Sequence, residues 1–254
     1  MRSGRCLLLC VGVLACAQDP FEIQVFEYQP LPRGAYTYEA HINYASLQEQ
    51  LHFSSELTAG LANQWRAGLV LLTAYVPGQG MEYAGVRILP HFYAPPSWNL
   101  PLNLGFVAEF SFERPMFNEN TREVELRGIV EKHIGRLQLD GNLVFGRALR
   151  GPGAREGWEL EPSGRIGWQA SPNLTPSLEY YSSLGKFDQF LPVQRQIHLL
   201  LPGADWKMHD RLTWSFGVGL GATDASSRII LKSRFEFEFG RNHDATAAGV
   251  GKRH

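Results

Sequence analysis

The 254-residue sequence contains no apolar run that reaches the ~20 residues needed by a transmembrane helix. Its hydrophobic content is 44%, and its mean hydropathy of −0.19 is ordinary for a soluble protein. A helical membrane protein is therefore excluded. A transmembrane β-barrel is not excluded, because barrel strands alternate apolar and polar residues and so contain no long apolar run.

An excess of either charge is also lacking. The chain has 24 Lys and Arg residues against 25 Asp and Glu residues, which gives a formal net charge of −1. This balance gives no indication of nucleic-acid binding. No glycine-rich phosphate loop, zinc-protease helix or other mechanistic motif is present. We therefore predict no cofactor and no enzymatic activity.

Cysteine occurs only at positions 6, 10 and 16. Residues 1–17 contain the parts of a secretory signal peptide: two arginines, a short apolar stretch and an A-x-A cleavage site at residues 15–17. A lipobox at residues 13–16, with acylation of Cys16, is the alternative interpretation. Cleavage after Ala17 would leave an exported chain without cysteine, which excludes disulfides and thiolate metal sites.

Alternation with a period of two is the dominant pattern in the rest of the chain. In Arg228–Phe239 one face is apolar and the other is mainly charged, because neighbouring side chains of a strand point to opposite faces. Eleven earlier segments show similar alternation. The predicted strands cover residues 35–45, 50–61, 65–75, 83–93, 100–112, 122–132, 137–147, 157–169, 174–183, 193–207, 212–222 and 228–239.

These segments have the length that a tilted strand needs to cross a bilayer, about twice that of a soluble strand. Tight turns alternate with longer loops between them, as at the two rims of an outer-membrane barrel. We predict an all-β fold: a single closed antiparallel transmembrane β-barrel of about 12 strands, covering residues 34–240. A soluble sandwich or barrel is the alternative, but twelve strands turned apolar-inward would leave a void.

Two short segments flank the predicted barrel. Residues 18–33 are expected to form a periplasmic N-terminal segment. A latch, a plug inserted in the barrel, and an extension without a special role all remain open for this segment. Residues 241–254 form a C-terminal tail after Phe239, whereas outer-membrane barrels usually end on a terminal phenylalanine.

The charged face of the strands supplies the candidate pore-lining residues. Basic residues cluster on the third, fourth and last strands, and acidic residues cluster on the sixth to ninth. Opposed walls of this kind would set up a field across a pore, and the alternative is a salt-bridge network that plugs the lumen. The candidates are Glu39, His41, His52, Glu56, Arg66, Arg87, Glu109, Glu123, Glu125, Arg127, Glu159, Glu161, Arg165, Glu179, Lys232, Arg234 and Glu236. The basic wall would also include Arg228, and the acidic wall Glu131 and Asp140.

Neither a metal site nor a catalytic site is predicted. His41 and His52, with Glu39 and Glu56 near them, are too loosely spaced to indicate metal binding. A lipid hydrolase needs Ser and His together on the outer face. The outward serines Ser55, Ser182 and Ser233 are expected to have no outward histidine beside them, so a hydrolase is the weakest of the three hypotheses.

The pattern resembles Gram-negative outer-membrane β-barrels of the small porin or putative transporter kind. The resemblance covers about residues 19–239. It depends on the segments at residues 19–25, 146–153, 179–181 and 221–224, and on the aromatic last strand. It implies a location in the outer membrane, with outer-membrane lipid, the barrel-assembly machinery and small solutes as partners.

The resemblance also implies passive transport, without indicating binding residues. The leading hypothesis is therefore a narrow passive channel for small polar solutes. The alternative is a plugged structural or surface-interaction barrel that transports nothing.

Overall fold

The computed structural model describes residues 19–240 as an antiparallel sheet of fourteen strands. Twelve of these strands form a closed ring, and β10 and β11 make a small hairpin in the loop between β9 and β12. The strands are β1 (Ala35–Ala45), β2 (Gln50–Ala62), β3 (Trp65–Val76), β4 (Gly80–Tyr93), β5 (Asn103–Glu113), β6 (Arg122–Ile134), β7 (Leu137–Arg150), β8 (Glu159–Trp168), β9 (Leu174–Ser183), β10 (Gly185–Lys186), β11 (Gln189–Phe190), β12 (Ile197–His209), β13 (Leu212–Gly221) and β14 (Ile229–Gly240).

Two pairings close the ring. β1 pairs with β14 from Ala35↔Gly240 to Ala45↔Ile230 without a shift in register. β8 pairs with β9 from Ser163↔Tyr181 to Gly167↔Ser177. The predicted all-β, closed antiparallel barrel of twelve strands is thus confirmed. The predicted leader at residues 1–17 and the tail at residues 241–254 lie outside the described residues.

The two rims of the barrel differ in their connections. β1 begins and β14 ends at the rim that we call the terminal rim, together with the turns at residues 63–64, 135–136 and 210–211. The opposite rim, which we call the loop rim, has the longer connections at residues 114–121, 151–158, 184–196 and 222–228. An exception at the terminal rim is the connection 94–102, which contains the short 3-10 turn Pro96–Trp98.

The outer face of the ring is apolar. Because side chains alternate along each strand, every second residue points outward. Every ring strand has a large hydrophobic side chain that is at least 40% exposed: Tyr38, Leu57, Leu69, Ile88, Phe110, Val130, Leu143, Ile166, Tyr180, Leu200, Val218 and Leu231. A belt of this kind is stable in hydrocarbon, where closure of the ring also pairs the backbone groups. Within the described part of the chain, no helix is long and apolar enough to span a membrane.

The buried core lies inside the ring. It consists of two clusters on opposite sides of residues 19–33, which we call the inner segment. The first cluster combines Phe21 and Phe26 with wall residues of β3 to β6, chiefly Val70, Leu72, Ala74, Ala84, Leu89, Tyr93, Val107 and Ile129. The second combines Ile23 and Val25 with Ala45, Tyr181, Leu199, Leu201 and Ile230.

Candidate functional site: the lumen and its inner segment

The inner segment runs through the lumen from the loop-rim half to the terminal rim. Near its start, Phe21 packs edge-on against Phe117 of the loop-rim connection 114–121, with ring centroids 6.0 Å apart. Further along, the Tyr28 hydroxyl donates a hydrogen bond of 2.6 Å to the carbonyl of Ala94. At the terminal rim, the amide of Gly34 donates to the carbonyl of Gly60. Residues 19–33 therefore run through the lumen to the terminal rim, in the position of an inserted plug, and a periplasmic location of this segment stays a prediction.

Polar side chains of the wall hold the backbone of the inner segment. Asn142 of β7 accepts a hydrogen bond of 2.7 Å from the Phe26 amide and donates one of 2.8 Å to the Phe26 carbonyl. Glu131 accepts from the Tyr28 amide at 2.9 Å. From the opposite wall, Asn43 donates to the carbonyls of Pro20 and Phe21. These bonds satisfy backbone groups that would otherwise be buried without partners, although the segment is not a strand of the sheet.

Arg87 of β4 is the main charged contact near the start of the inner segment. Its guanidinium is paired with Asp19, with Glu109 at 3.2 Å and with Glu113 at 2.7 Å. Glu22 lies 3.7 Å away. Arg87 is 5% exposed, and a charge that is so deeply buried requires this kind of pairing. The contact links the inner segment to both β4 and β5.

Arg165 of β8 is a second such centre, on a different part of the wall. It pairs with Asp140 at 3.2 Å, with Glu27 of the inner segment at 3.4 Å, and with Asp205 of β12. Glu179 lies 4.0 Å from it. One guanidinium thus joins strands β7, β8 and β12 to the inner segment.

Two cations of β14 complete the charged network. Lys232 donates to both carboxylate oxygens of Glu179, at 2.8 and 2.7 Å, across the intervening strands β13 and β12. Arg234 lies 3.4 Å from Glu39 and donates a 2.7 Å hydrogen bond to the side-chain oxygen of Gln24. Both cations are therefore engaged with the wall or with the inner segment.

All seventeen predicted pore-lining residues lie on the inward face of their strands. Most are buried, and those of β6 and β8 near the loop rim, such as Glu123 and Glu159, are partly exposed. Glu123 accepts from Asn118 at 2.9 Å, and Glu56 accepts a short hydrogen bond from Thr58. Glu236 lies 3.7 Å from Arg234. Their role in lining an open pore stays a prediction.

The predicted basic wall is not present as a set of free charges, although carboxylates do predominate on the inward face of β5 to β8. Arg87, Lys232 and Arg234 are each paired with carboxylates, which cancels most of the field that they would set up alone. Arg66 lies over the ring of Tyr93, 5.2 Å from its centroid. Arg228 lies in the exposed loop before β14, not on the inward face. The paired cations thus take part in a network of salt bridges inside the lumen, which was the alternative to two opposed walls.

The two histidines that were considered for a metal site have separate surroundings. His41 lies 3.5 Å from Glu39, whereas His52 packs against Phe21 with ring centroids 4.8 Å apart. Within residues 19–240, no group of three or more His, Cys, Asp or Glu side chains is arranged to hold a metal ion.

One expectation about the outer face was wrong. Ser182 of β9 pairs in register with His198 of β12, so this serine does have a histidine beside it, although the serine is only 3% exposed. The Ser182 hydroxyl, however, donates to the carbonyl of Pro162 at 2.8 Å. The two ring nitrogens of His198 lie against the Tyr180 hydroxyl at 2.6 Å and the Gln196 side-chain oxygen at 3.0 Å. This geometry does not activate Ser182 as a nucleophile.

A small polar cavity lies beside the first residues of the inner segment. Two guanidinium groups and five carboxylates line most of its polar surface. These are Arg87, Arg127, Asp19, Glu22, Glu109, Glu125 and Glu161. Arg127 also covers the ring of Phe26 at 4.2 Å from its centroid. The cavity lies between the inner segment and the wall formed by β4 to β9.

The sequence analysis missed the apolar residues of the lumen. Val70 and Leu72 of β3, and Leu199 and Leu201 of β12, are at most 1% exposed and face inward. Their signal is present in the sequence, because residues 69–72 and 199–201 are uninterrupted apolar runs in which the alternation fails. A strand that is apolar on both faces indicates that something packs inside the ring.

No protein-family model matches this sequence, and no curated protein matches it. Solved structures are similar in fold. The NanC porin has a TM-score of 0.56 at 10% identity, over 80% of this chain and 99% of that one. An outer-membrane channel from Pseudomonas putida F1 has a TM-score of 0.51 at 13% identity, over 86% and 100%. The Acinetobacter baumannii outer-membrane protein Omp33 has a TM-score of 0.50 at 8% identity, over 83% and 100%.

At these identities the similarity is one of fold. The chain has the fold of the small outer-membrane porins, as the resemblance in its sequence implied. What passes through the lumen is a separate question, which depends on the residues inside it.

Proposed function

We propose that this protein is an outer-membrane passive channel for small polar solutes, and that its own inner segment closes it. The observation that carries the proposal is the way in which residues 19–33 are held. They fill a lumen lined by polar and charged side chains, yet they add no strand to the ring. The inner segment can therefore leave without breaking the hydrogen-bond ladder that closes the barrel.

The proposed location follows from two features. The apolar belt requires lipid around the ring, and the signal-like sequence of residues 1–17 would direct export. The partners are then outer-membrane lipid, the barrel-assembly machinery during insertion, and small solutes. Similar structures that are described as a porin and an outer-membrane channel support passive transport.

Planar-bilayer recordings of the refolded mature chain test the proposal. We expect rare openings in the parent chain. The double variant Phe21→Ala/Phe26→Ala should open more often, because it removes the two buried aromatic rings of the inner segment from one apolar cluster and leaves only the partly buried Tyr28. The matched control is Phe106→Ala/Phe110→Ala on the outer face, which should leave the frequency of openings unchanged. Both variants are first checked for β-structure and for resistance of the folded barrel to detergent.

A plugged barrel with a role in surface interaction is the second candidate, and features of the loop rim favour it. Phe187, Phe190 and Val193 in the connection between β9 and β12 are more than half exposed. Lys186 bonds to Glu159 at 2.5 Å and to Glu156 at 3.3 Å. Burial opposes the charge of Lys186, but these carboxylates outweigh it and raise the pKa of the ammonium group. If no folded variant conducts in the bilayer, this second function is favoured.

A further inference from the structure

The inward charges are distributed unevenly around the ring. Strands β5 to β8 direct eight carboxylates but only two guanidinium groups, those of Arg127 and Arg165, into the described lumen. The carboxylates are Glu109, Glu113, Glu123, Glu125, Glu131, Asp140, Glu159 and Glu161. The net charge of the whole chain, −1, conceals this local excess of acid.

Cations elsewhere on the wall do not compensate for the excess. Lys232 is bonded to Glu179 of β9, and Arg234 lies close to Glu39 and Glu236 of its own side of the ring. Arg87 reaches Glu109 and Glu113 but is also paired with Asp19. The inner segment adds further carboxylates to the lumen and no cation within residues 19–32.

A second observation indicates where a positive group would be held. The residue Glu22 is 7% exposed and lines the polar cavity. One of its carboxylate oxygens accepts no hydrogen bond within the described structure, and its ion-pair contact with Arg87 is long, at 3.7 Å. Glu125 and Glu161 line the same cavity from neighbouring parts of the wall. A buried oxygen that lacks a donor favours a ligand that brings one.

We propose that the lumen is selective for cations, and that its solutes are small molecules bearing ammonium or guanidinium groups. Acidic residues that line a pore raise the local concentration of cations and exclude anions. With the inner segment in place, the cavity beside Glu22, Glu125 and Glu161 is the site where such a group pairs with carboxylates. Glu125 and Glu161 belong to the wall and stay in the lumen when the segment moves. This inference depends on the proposed channel function, since it concerns what passes when the inner segment has moved.

Reversal potentials in a KCl gradient test the inference on the opened variant Phe21→Ala/Phe26→Ala. We expect potassium to be favoured over chloride by about fivefold or more, as a lumen lined mainly by carboxylates requires. Adding Glu125→Gln and Glu161→Gln should lower the permeability ratio by about twofold or more. The matched control is Glu119→Gln, which removes a carboxylate from the exposed loop 114–121 and should leave the ratio unchanged. Arginine hydrochloride in place of KCl then tests entry of a guanidinium solute.

The outcomes separate the two proposals. Channels with a ratio near one, or with chloride favoured, would overturn cation selectivity and leave the channel standing. If Glu119→Gln lowers the permeability ratio as much as Glu125→Gln with Glu161→Gln, the assigned site is overturned. A variant that lacks residues 19–30 provides a second opened barrel if the phenylalanine variant does not fold. Absence of conductance in both, with the barrel folded, would overturn the channel and the selectivity together.

Discussion

Leu71 and Leu72 are neighbours on β3, but they face different environments. Leu71 points outward and is 48% exposed, whereas Leu72 points into the lumen and is completely buried in a cluster with Phe21 and Phe26. The other strands of the ring show the same difference between outward and inward side chains. The outer face needs only apolar side chains, because lipid adapts to their shape. The inner face must fit one particular segment of the chain.

This difference predicts where the molecule is sensitive to substitution. Contacts on the inner face combine close packing, buried charge and hydrogen bonds to the inner segment's backbone, so each depends on its neighbours. Outer-face side chains contact lipid, and their contacts with one another are local, such as the stacking of Trp214 on Phe235 of the neighbouring strand. A substitution on the inner face should therefore lower the unfolding free energy more than a matched substitution on the outer face or at a rim.

The largest difference is expected for two lysines. Lys232→Met leaves the buried carboxylate of Glu179 without its ammonium partner, and loss of one partner of a buried ion pair costs about 3–5 kcal/mol of unfolding free energy. Lys207→Met removes an exposed pair with Asp210 and should cost less than about 1 kcal/mol. Urea unfolding in lipid vesicles measures both. The double variant Lys232→Met/Glu179→Met should recover part of the loss, and a further loss would contradict the pairing.

The next difference compares the two leucines. Leu72→Ala opens a cavity inside a packed cluster and should lower the unfolding free energy by about 2–4 kcal/mol. Leu71→Ala removes the same atoms from the outer face, where lipid fills the space, so we expect a smaller loss. The same unfolding assay applies, and equal losses would show that the lumen is not packed as described.

The smallest expected effect concerns a glycine at the terminal rim. A Cβ added to Gly60 would lie 2.1 Å from the Pro32 carbonyl oxygen, so the inner segment or β2 must shift in Gly60→Ala. Strain of this kind costs about 1–3 kcal/mol. Gly128→Ala on β6 is the control, because its added Cβ meets nothing closer than 3.9 Å. Faster proteolysis of residues 19–33 in Gly60→Ala alone would support the predicted displacement, and equal rates would contradict it.

The sequence predicted the outer face well. Strands β1 and β9 begin and end where the alternation placed them, and the other ring strands agree within a few residues. The reason is that one physical rule, apolar residues toward lipid, applies to every strand independently of the others. The hairpin β10–β11 was not predicted, because two strands of two residues are too short to show a period.

The interior was predicted only in part. The inward direction of residues such as Glu125 and Arg234 follows from alternation, but their partners do not. Arg165 contacts Glu27, which is distant in sequence, and no local pattern indicates such a pair. The position of residues 19–33 was left open for the same reason, although the apolar run at residues 69–72 was a signal that the lumen is filled.

Thiol cross-linking can establish whether the inner segment occupies the lumen without any measurement of transport. A chain that begins at residue 18, as the predicted cleavage would leave it, contains no native cysteine, so introduced thiols report alone. Phe26 and Asn142 share two hydrogen bonds, whereas the adjacent Leu143 points outward. We predict that oxidation cross-links Phe26→Cys to Asn142→Cys in intact membranes and leaves Phe26→Cys with Leu143→Cys unlinked, because Phe21 and the ion pairs of Arg87 and Arg165 still hold the segment in both variants. No cross-link to position 142, or equal cross-linking to both positions, would contradict the account.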